Sequence, residues 1–295
     1  MSAFFKSIAI RFMGFASLVL SLVFQMEWMI MEQQFHPTIF SYSINQSYIY
    51  PAFVLYFALQ SWWLVDYAKS ASSRKGSEER GSLVLEDTAM QKPICQSYMP
   101  ILVLSNICMV IWTILCTVQL YSLGLAVVTF SACVQLCGVF GALQVIRQSD
   151  FYQERSGMTL TLAKVNAAYT IMYLWKTWGM MESSANPPSL QLLHSAGIFV
   201  LLTLTSGPDP TFGLSLIYVL AALYNGPSKS LAWRDTFFWT AAVLSALVVI
   251  DPIICLLHYS FTSEEYEEPT ENTPFLTLDM KVRASPEDIP ALLPL

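Results

Sequence analysis

Apolar runs of about twenty residues recur from one end of this chain to the other, and no other property restricts its fold so severely. A helix of that length, at roughly 1.5 Å per residue, crosses about 30 Å of hydrocarbon. Hydrocarbon offers no water to satisfy an open backbone group, so only helices and closed barrels cross it. A transmembrane barrel would show alternating segments of roughly ten residues, and this sequence does not. Charge content agrees, at 12% of 295 residues against about 25% in soluble domains. The pattern predicts an all-α fold, a polytopic transmembrane helical bundle.

The apolar runs place helices at Ile8–Met31, Tyr48–Tyr67, Tyr98–Leu120, Leu123–Ile146, Leu160–Met181, Leu190–Ser206, Thr211–Tyr224 and Thr236–Tyr259. The sixth and seventh are short. The segment SGPDPT between them, Ser206–Thr211, carries prolines that cannot continue a helix, so the two form separate spans or one broken span. The count is therefore seven or eight. Lys6 and Arg11 come before the unbroken apolar part of the first helix, which continues without a small-residue cleavage site, as in a retained signal anchor. Orientation follows from the short loops. The loop after the second helix holds Lys69, Arg74, Lys75 and Arg80, and that after the fourth holds Arg147 and Arg155. The first loop, Glu32–Ser47, has no Lys or Arg. This asymmetry predicts a cytosolic N-terminus, a cytosolic polar loop over residues 68–97, and a bundle over residues 1–259 in the endoplasmic reticulum membrane. Residues 260–295 read as a disordered acidic tail. Eight acids against two bases after Tyr259 give that tail a charge of −6 (2 − 8), equal to the formal charge of the whole chain.

Many chemistries lack their residues here. There is no P-loop, no Gly-rich dinucleotide turn, no serine elbow and no basic patch for nucleic acid. The three histidines are scattered and no Cys/His spacing suits zinc, so neither a metal nor another cofactor is expected. The expected partners are membrane lipid, a hydrophobic small molecule, and other membrane-bound biosynthetic enzymes. Asn45 opens the sequon NQS on the predicted lumenal side, as either a glycan acceptor or an unused one.

Function then rests on polar residues inside the spans, which are costly in lipid and usually face the bundle interior. In the first helix, Glu27 and Trp28 read as a site acid with its aromatic neighbour, or as an interfacial pair. In the second, Trp62 and Asp66 are four apart on one face, as site residues or an interface anchor. In the fifth, Asn166, Thr170, Tyr173 and Thr177 step by four, three and four along one face. Lys176 borders that stripe, between Trp175 and Trp178. Lys176 either snorkels toward headgroups, pairs with Glu27, or orients a carbonyl or epoxide oxygen. In the last helix, Asp251 precedes Pro252 within an apolar span, where a charged carboxylate is disfavoured unless paired. Asp251 and Glu27 are the candidate catalytic acids.

The stretches FHPTIFS, SNICMVIW and NAAYTIMYLWKTWGMM resemble an uncharacterised family of fungal multi-pass membrane proteins with about eight helices. Over Met1–Met181 the chain is distantly similar to the translocator (tryptophan-rich sensory) proteins. That resemblance implies a helical bundle binding a sterol- or tetrapyrrole-like ligand. In general character the chain is also similar to the small integral-membrane terpene cyclases of fungal secondary metabolism, which implies acid-catalysed, metal-independent cyclisation of an isoprenoid. Such chemistry needs a protonated acid, aromatic faces for a travelling cation and a dry site. A carrier or sensor needs the aromatic site without the acid, and a scaffold for other enzymes needs neither.

Overall fold

The computed structural model describes residues 2–32, 41–77, 85–147, 157–182, 187–206 and 210–264, with the side chains at 2–8, 70–97, 142–147, 251–252 and 255–264 outside that description. Among the described residues there are eight helices and no strand. In chain order they are α1 (Ser2–Glu32), α2 (Gln46–Ser77), α3 (Leu85–Thr117), α4 (Tyr121–Arg147), α5 (Gly157–Met181), α6 (Ser189–Thr205), α7 (Pro210–Tyr224) and α8 (Leu231–Glu264). The chain through Ile253 forms one compact unit.

Five helices contain a segment long and apolar enough to cross a membrane: Ala9–Glu32, Gln46–Lys69, Tyr98–Thr117, Tyr121–Gly141 and Leu231–Ile250. Among the described residues these five meet the criterion, against the seven or eight spans expected. The α6 and α7 helices are apolar but only 17 and 15 residues long. The α5 helix has the length, at 25 residues, but carries polar residues on most of its turns. It tolerates them because it is an interior helix, packed on α2, α3, α4 and α7. Outer helices instead turn apolar side chains outward, among them Val19, Val23 and Ile30 of α1, and Val54 and Leu55 of α2. Surfaces of this kind are stable against lipid chains and a liability in water.

Two boundaries differ from the sequence reading. The polar loop expected over residues 68–97 contains helix at both ends, since α2 continues to Ser77 and α3 begins at Leu85. Past the apolar stretch the backbone needs only helix-permissive residues, and Ala, Lys, Arg and Glu supply them. The last helix likewise continues to Glu264, while 265–295 of the expected tail lies outside the described residues.

The α3–α4 hairpin shows how local chemistry fixes a connection. Leu120 N–H donates to Leu115 C=O at 2.8 Å and Gln119 N–H to Cys116 C=O at 3.0 Å. This pair of bonds closes the α3 C-terminus as a Schellman motif, whose penultimate residue must enter the left-handed region. Gln119 does so, at φ 60°. The chain then reverses within three residues, so α3 and α4 pack side by side.

A second ordered connection comes from the first loop. Residues 41–45 lie along the α7–α8 connection, with Ser43 N–H donating to Pro227 C=O at 2.9 Å and Lys229 N–H to Ser41 C=O at 2.9 Å. Tyr42 and Ser228 form an antiparallel bridge. Two glycines permit the approach. A Cβ on Gly226 would collide with the Ser43 carbonyl, and one on Gly179 of α5 would collide with the carbonyl and ring of Tyr42.

Candidate functional site

The polar stripe of α5 faces inward. Asn166, Thr170, Tyr173 and Thr177 are all buried, as are Tyr169 and Lys176. Thr170 and Thr177 donate to carbonyls one turn back, Asn166 C=O at 2.9 Å and Tyr173 C=O at 2.7 Å, so neither hydroxyl stands open in an apolar surrounding.

Around Asn166 the side chains form a network across five helices. Asn166 Nδ2 donates to Tyr98 OH at 2.9 Å, and Tyr98 OH donates to Gln135 Oε1 at 3.0 Å. Gln60 Nε2 reaches Asn166 Oδ1 at 3.5 Å, while Asn106 Nδ2 donates to Gln60 Oε1 at 3.1 Å. Tyr56 OH donates to Asn106 Oδ1 at 2.9 Å. Ser17 of α1 takes a long contact from Asn106 Nδ2 at 3.5 Å. These contacts satisfy most of the donors and acceptors involved, and the network ties α1 to α5 together. A group that is already hydrogen-bonded to its neighbours is a structural element first.

One turn further along α5 the character changes. Tyr169 OH donates to Gln25 Oε1 at 2.7 Å and lies 3.1 Å from Tyr173 OH. The Tyr56 and Tyr169 rings stack with centroids 4.0 Å apart. The Trp112 ring meets Tyr173 edge-on at 4.7 Å and Trp28 at 5.8 Å, and its indole N–H donates to Thr177 Oγ1 at 2.8 Å. Lys176 lies over the Tyr173 ring at 5.5 Å. Its Nζ meets Glu32 Oε2 at 2.5 Å, with the lysine side chain 1% exposed and the glutamate 14%. Lys176 therefore does not snorkel. In hydrocarbon an unpaired ammonium is expensive, and a carboxylate at the end of α1 offsets that cost.

The carboxylate that the sequence offered as one alternative for Lys176 was Glu27, and the structure puts Glu32 there instead. Glu27 is exposed. Five residues separate it from Glu32, which is roughly 500° of helical rotation, so the two point to different sides of α1. Trp28, next to Glu27, is the one turned inward. In α2 the same thing happens. Trp62 is 68% exposed and Asp66 is exposed, while their neighbours Gln60 and Trp63 are buried. The inference that Trp62 and Asp66 share a face holds, but that face is outward. Trp63 takes the interior place, donating its indole N–H to Thr159 Oγ1 at 3.0 Å.

Trp175 and Trp178 leave the stripe altogether. Trp175 is roughly 200° round the helix from Tyr173 and packs on Phe199 of α6 at 4.6 Å. Trp178 is half-buried, 6.0 Å from Trp175. Asp251 belongs to α8, but its side chain lies outside the described residues, as does that of Pro252. Asn45 engages its side chain locally, accepting from Ser47 N–H at 2.9 Å and donating from Nδ2, the atom a glycan would occupy, to Asn225 C=O at 3.0 Å. Among the described residues no group of three His, Cys, Asp or Glu could hold a metal ion.

The residues that sequence reasoning missed are Glu32, Tyr56, Gln60 and Tyr98. In α2 a signal existed: Phe53, Tyr56, Gln60 and Trp63 recur at helical spacing and all face inward. For Glu32 none did, because it lies 144 residues from Lys176.

The arrangement joins rings of α1, α2, α3 and α5 to one ion pair, and it leaves one donor open. Trp28 is 3% exposed, and its indole N–H has no hydrogen-bond partner among the described residues. Fold and site together define, among the described residues, an all-helical chain with five helices long and apolar enough to cross a membrane and a polar, aromatic interior. Family models, curated proteins and solved structures contain no match to this chain.

Proposed function

We propose that this is a multi-pass membrane protein that binds a hydrophobic, isoprenoid-type small molecule where α1, α3 and α5 meet. It acts there as a carrier or sensor. The unpartnered indole N–H of Trp28 carries the reading. A buried donor without an acceptor costs roughly 1–3 kcal/mol. A ligand oxygen placed among Trp28, Trp112, Tyr173 and Lys176 recovers that cost, while an apolar body lies along the rings. Seven or eight spans, an endoplasmic reticulum location and a cytosolic N-terminus complete the proposal, with α6 and α7 as two short spans or as one broken span.

A metal-independent terpene cyclase is the second reading. The run of rings from Tyr56 through Tyr169 and Tyr173 to Trp112 and Trp28 favours it, since such faces stabilise a carbocation. Its acid would have to be Asp251, because Glu27 is exposed and Glu32 is taken by Lys176. One experiment separates the two. Microsomes bearing the protein are incubated with polyprenyl epoxides, and products and co-purifying lipids are read by mass spectrometry. The carrier reading expects a retained isoprenoid lost in Trp28→Phe, without turnover. Product formation abolished in Asp251→Asn would establish the cyclase instead. Neither retention nor turnover would refute both.

A further inference from the structure

The opposite face of α5 carries a second cluster, with no place in the proposal above. Tyr42 lies over Gly179 and packs on Trp233 at 4.9 Å and Phe237 at 5.3 Å. One turn back along α5, Trp175 packs on Phe199 of α6. Ser195 precedes Phe199 by one turn on the same buried face of α6. Four polar atoms here are buried and without a hydrogen-bond partner among the described residues: Tyr42 OH, Trp175 Nε1, Ser195 Oγ and Trp233 Nε1. All four residues are at most 2% exposed. The network around Asn166, of similar depth, is largely satisfied. Buried polar groups in folded proteins are nearly always paired, so four open ones, linked through the Tyr42–Gly179 and Trp175–Phe199 contacts of α5, call for an occupant.

We infer that this cluster is a second binding site, for a neutral, flat carbonyl compound of the quinone type. The donor set selects the class. Indole N–H groups only donate, and Trp175 and Trp233 stand on different helices, so a dione, with a carbonyl on each side of its ring, can accept from both. Tyr42 and Ser195 add two hydroxyls that donate or accept. Among the described residues no lysine or arginine packs on these rings. The charged group bearing on Tyr42 is the Glu182 carboxylate, which disfavours an anion. Burial, and behind it that same carboxylate, raise the Tyr42 hydroxyl well above its ordinary range, so it remains a donor at neutral pH. Rings of Tyr42, Trp175, Phe199, Trp233 and Phe237 offer flat apolar faces, and an aromatic-like ring pairs with them by stacking or edge contact. Close packing of Tyr42 on Gly179 and the hydrogen bonds of residues 41–45 to the α7–α8 connection hold the site in place. A preorganised site loses less entropy on binding.

The test uses the full chain in phosphatidylcholine vesicles, titrated with decylubiquinone while tryptophan fluorescence is followed. Saturable quenching is expected. Tyr42→Phe and Trp233→Phe each keep a ring and remove one donor, and each should raise the midpoint roughly three- to tenfold. Trp239→Phe, on the exposed face of α8, should leave it unchanged. Quenching that rises linearly without saturation overturns the inference. So does an unchanged midpoint in a folded Tyr42→Phe/Trp233→Phe double variant, or a gain in thermal stability without any change in quenching, which would mean that water alone fills the cluster. If the double variant does not fold, Ser195→Ala reports the same question through a smaller change. Trp28→Phe tests the α1–α3–α5 site separately, so failure of one reading leaves the other standing.

Discussion

Neutralising Glu32 should cost this protein more than any other single charge removal on α1. Glu32→Gln leaves the Lys176 ammonium, 1% exposed, facing an uncharged amide. Breaking one side of a buried ion pair costs roughly 3–5 kcal/mol. The 14% exposure of Glu32 at the helix end admits some solvent, which places the expected loss near the lower figure, about 3 kcal/mol. The cation–π contact with Tyr173 survives the change and offsets part of it, by roughly 0.5–1 kcal/mol. Replacing both partners, as Glu32→Gln with Lys176→Met, removes the stranded charge and should recover most of the loss. The assay is a double-mutant cycle on protein reconstituted in bicelles and unfolded with denaturing detergent. A coupling energy of about 2 kcal/mol is expected, with Glu27→Gln on the exposed face of the same helix within about 0.5 kcal/mol of wild type. Additive single losses would refute the pairing, and so would a Glu27→Gln loss as large as that of Glu32→Gln.

Asn106→Leu strands Tyr56 OH and Gln60 Oε1, and should lower stability by roughly 1–3 kcal/mol in the same unfolding assay. Gln119→Gly relieves a side chain held at φ 60° in the α3–α4 turn and should raise stability by roughly 0.5–1 kcal/mol. Tyr42→Phe should lessen alkaline destabilisation. The folded-state pKa of Tyr42 is raised, chiefly by burial and then by Glu182, so its protonated form is the one that folding favours. That contribution is fully present below the unfolded pKa of about 10 and is lost as pH rises above it, which a thermal-unfolding series from pH 8 to 11 would detect. Protease added to sealed microsomes should cut within residues 69–92, as a cytosolic loop requires, and protection there would reverse the orientation.

The periodicity and length of the apolar runs were enough to determine an all-helical chain with helices long and apolar enough to cross a membrane, because hydrocarbon leaves a chain few ways to satisfy its backbone. Helical spacing also determined that Asn166, Thr170, Tyr173 and Thr177 share one face of α5, since that sharing follows from 100° per residue and nothing else. Which carboxylate answers Lys176 was not determined in this way. Glu27 and Glu32 both lie near the end of α1, and only the rotation of that helix against α3 and α5 turns Glu32 inward and Glu27 outward. The same rotation in α2 put Trp63 inside and Trp62 on the surface, although the two are adjacent and chemically alike. Tertiary packing alone decided these outcomes. A helix fixes the angles between its own side chains, but the direction in which they point is set by neighbours that lie, like Glu32 and Lys176, 144 residues apart in the chain.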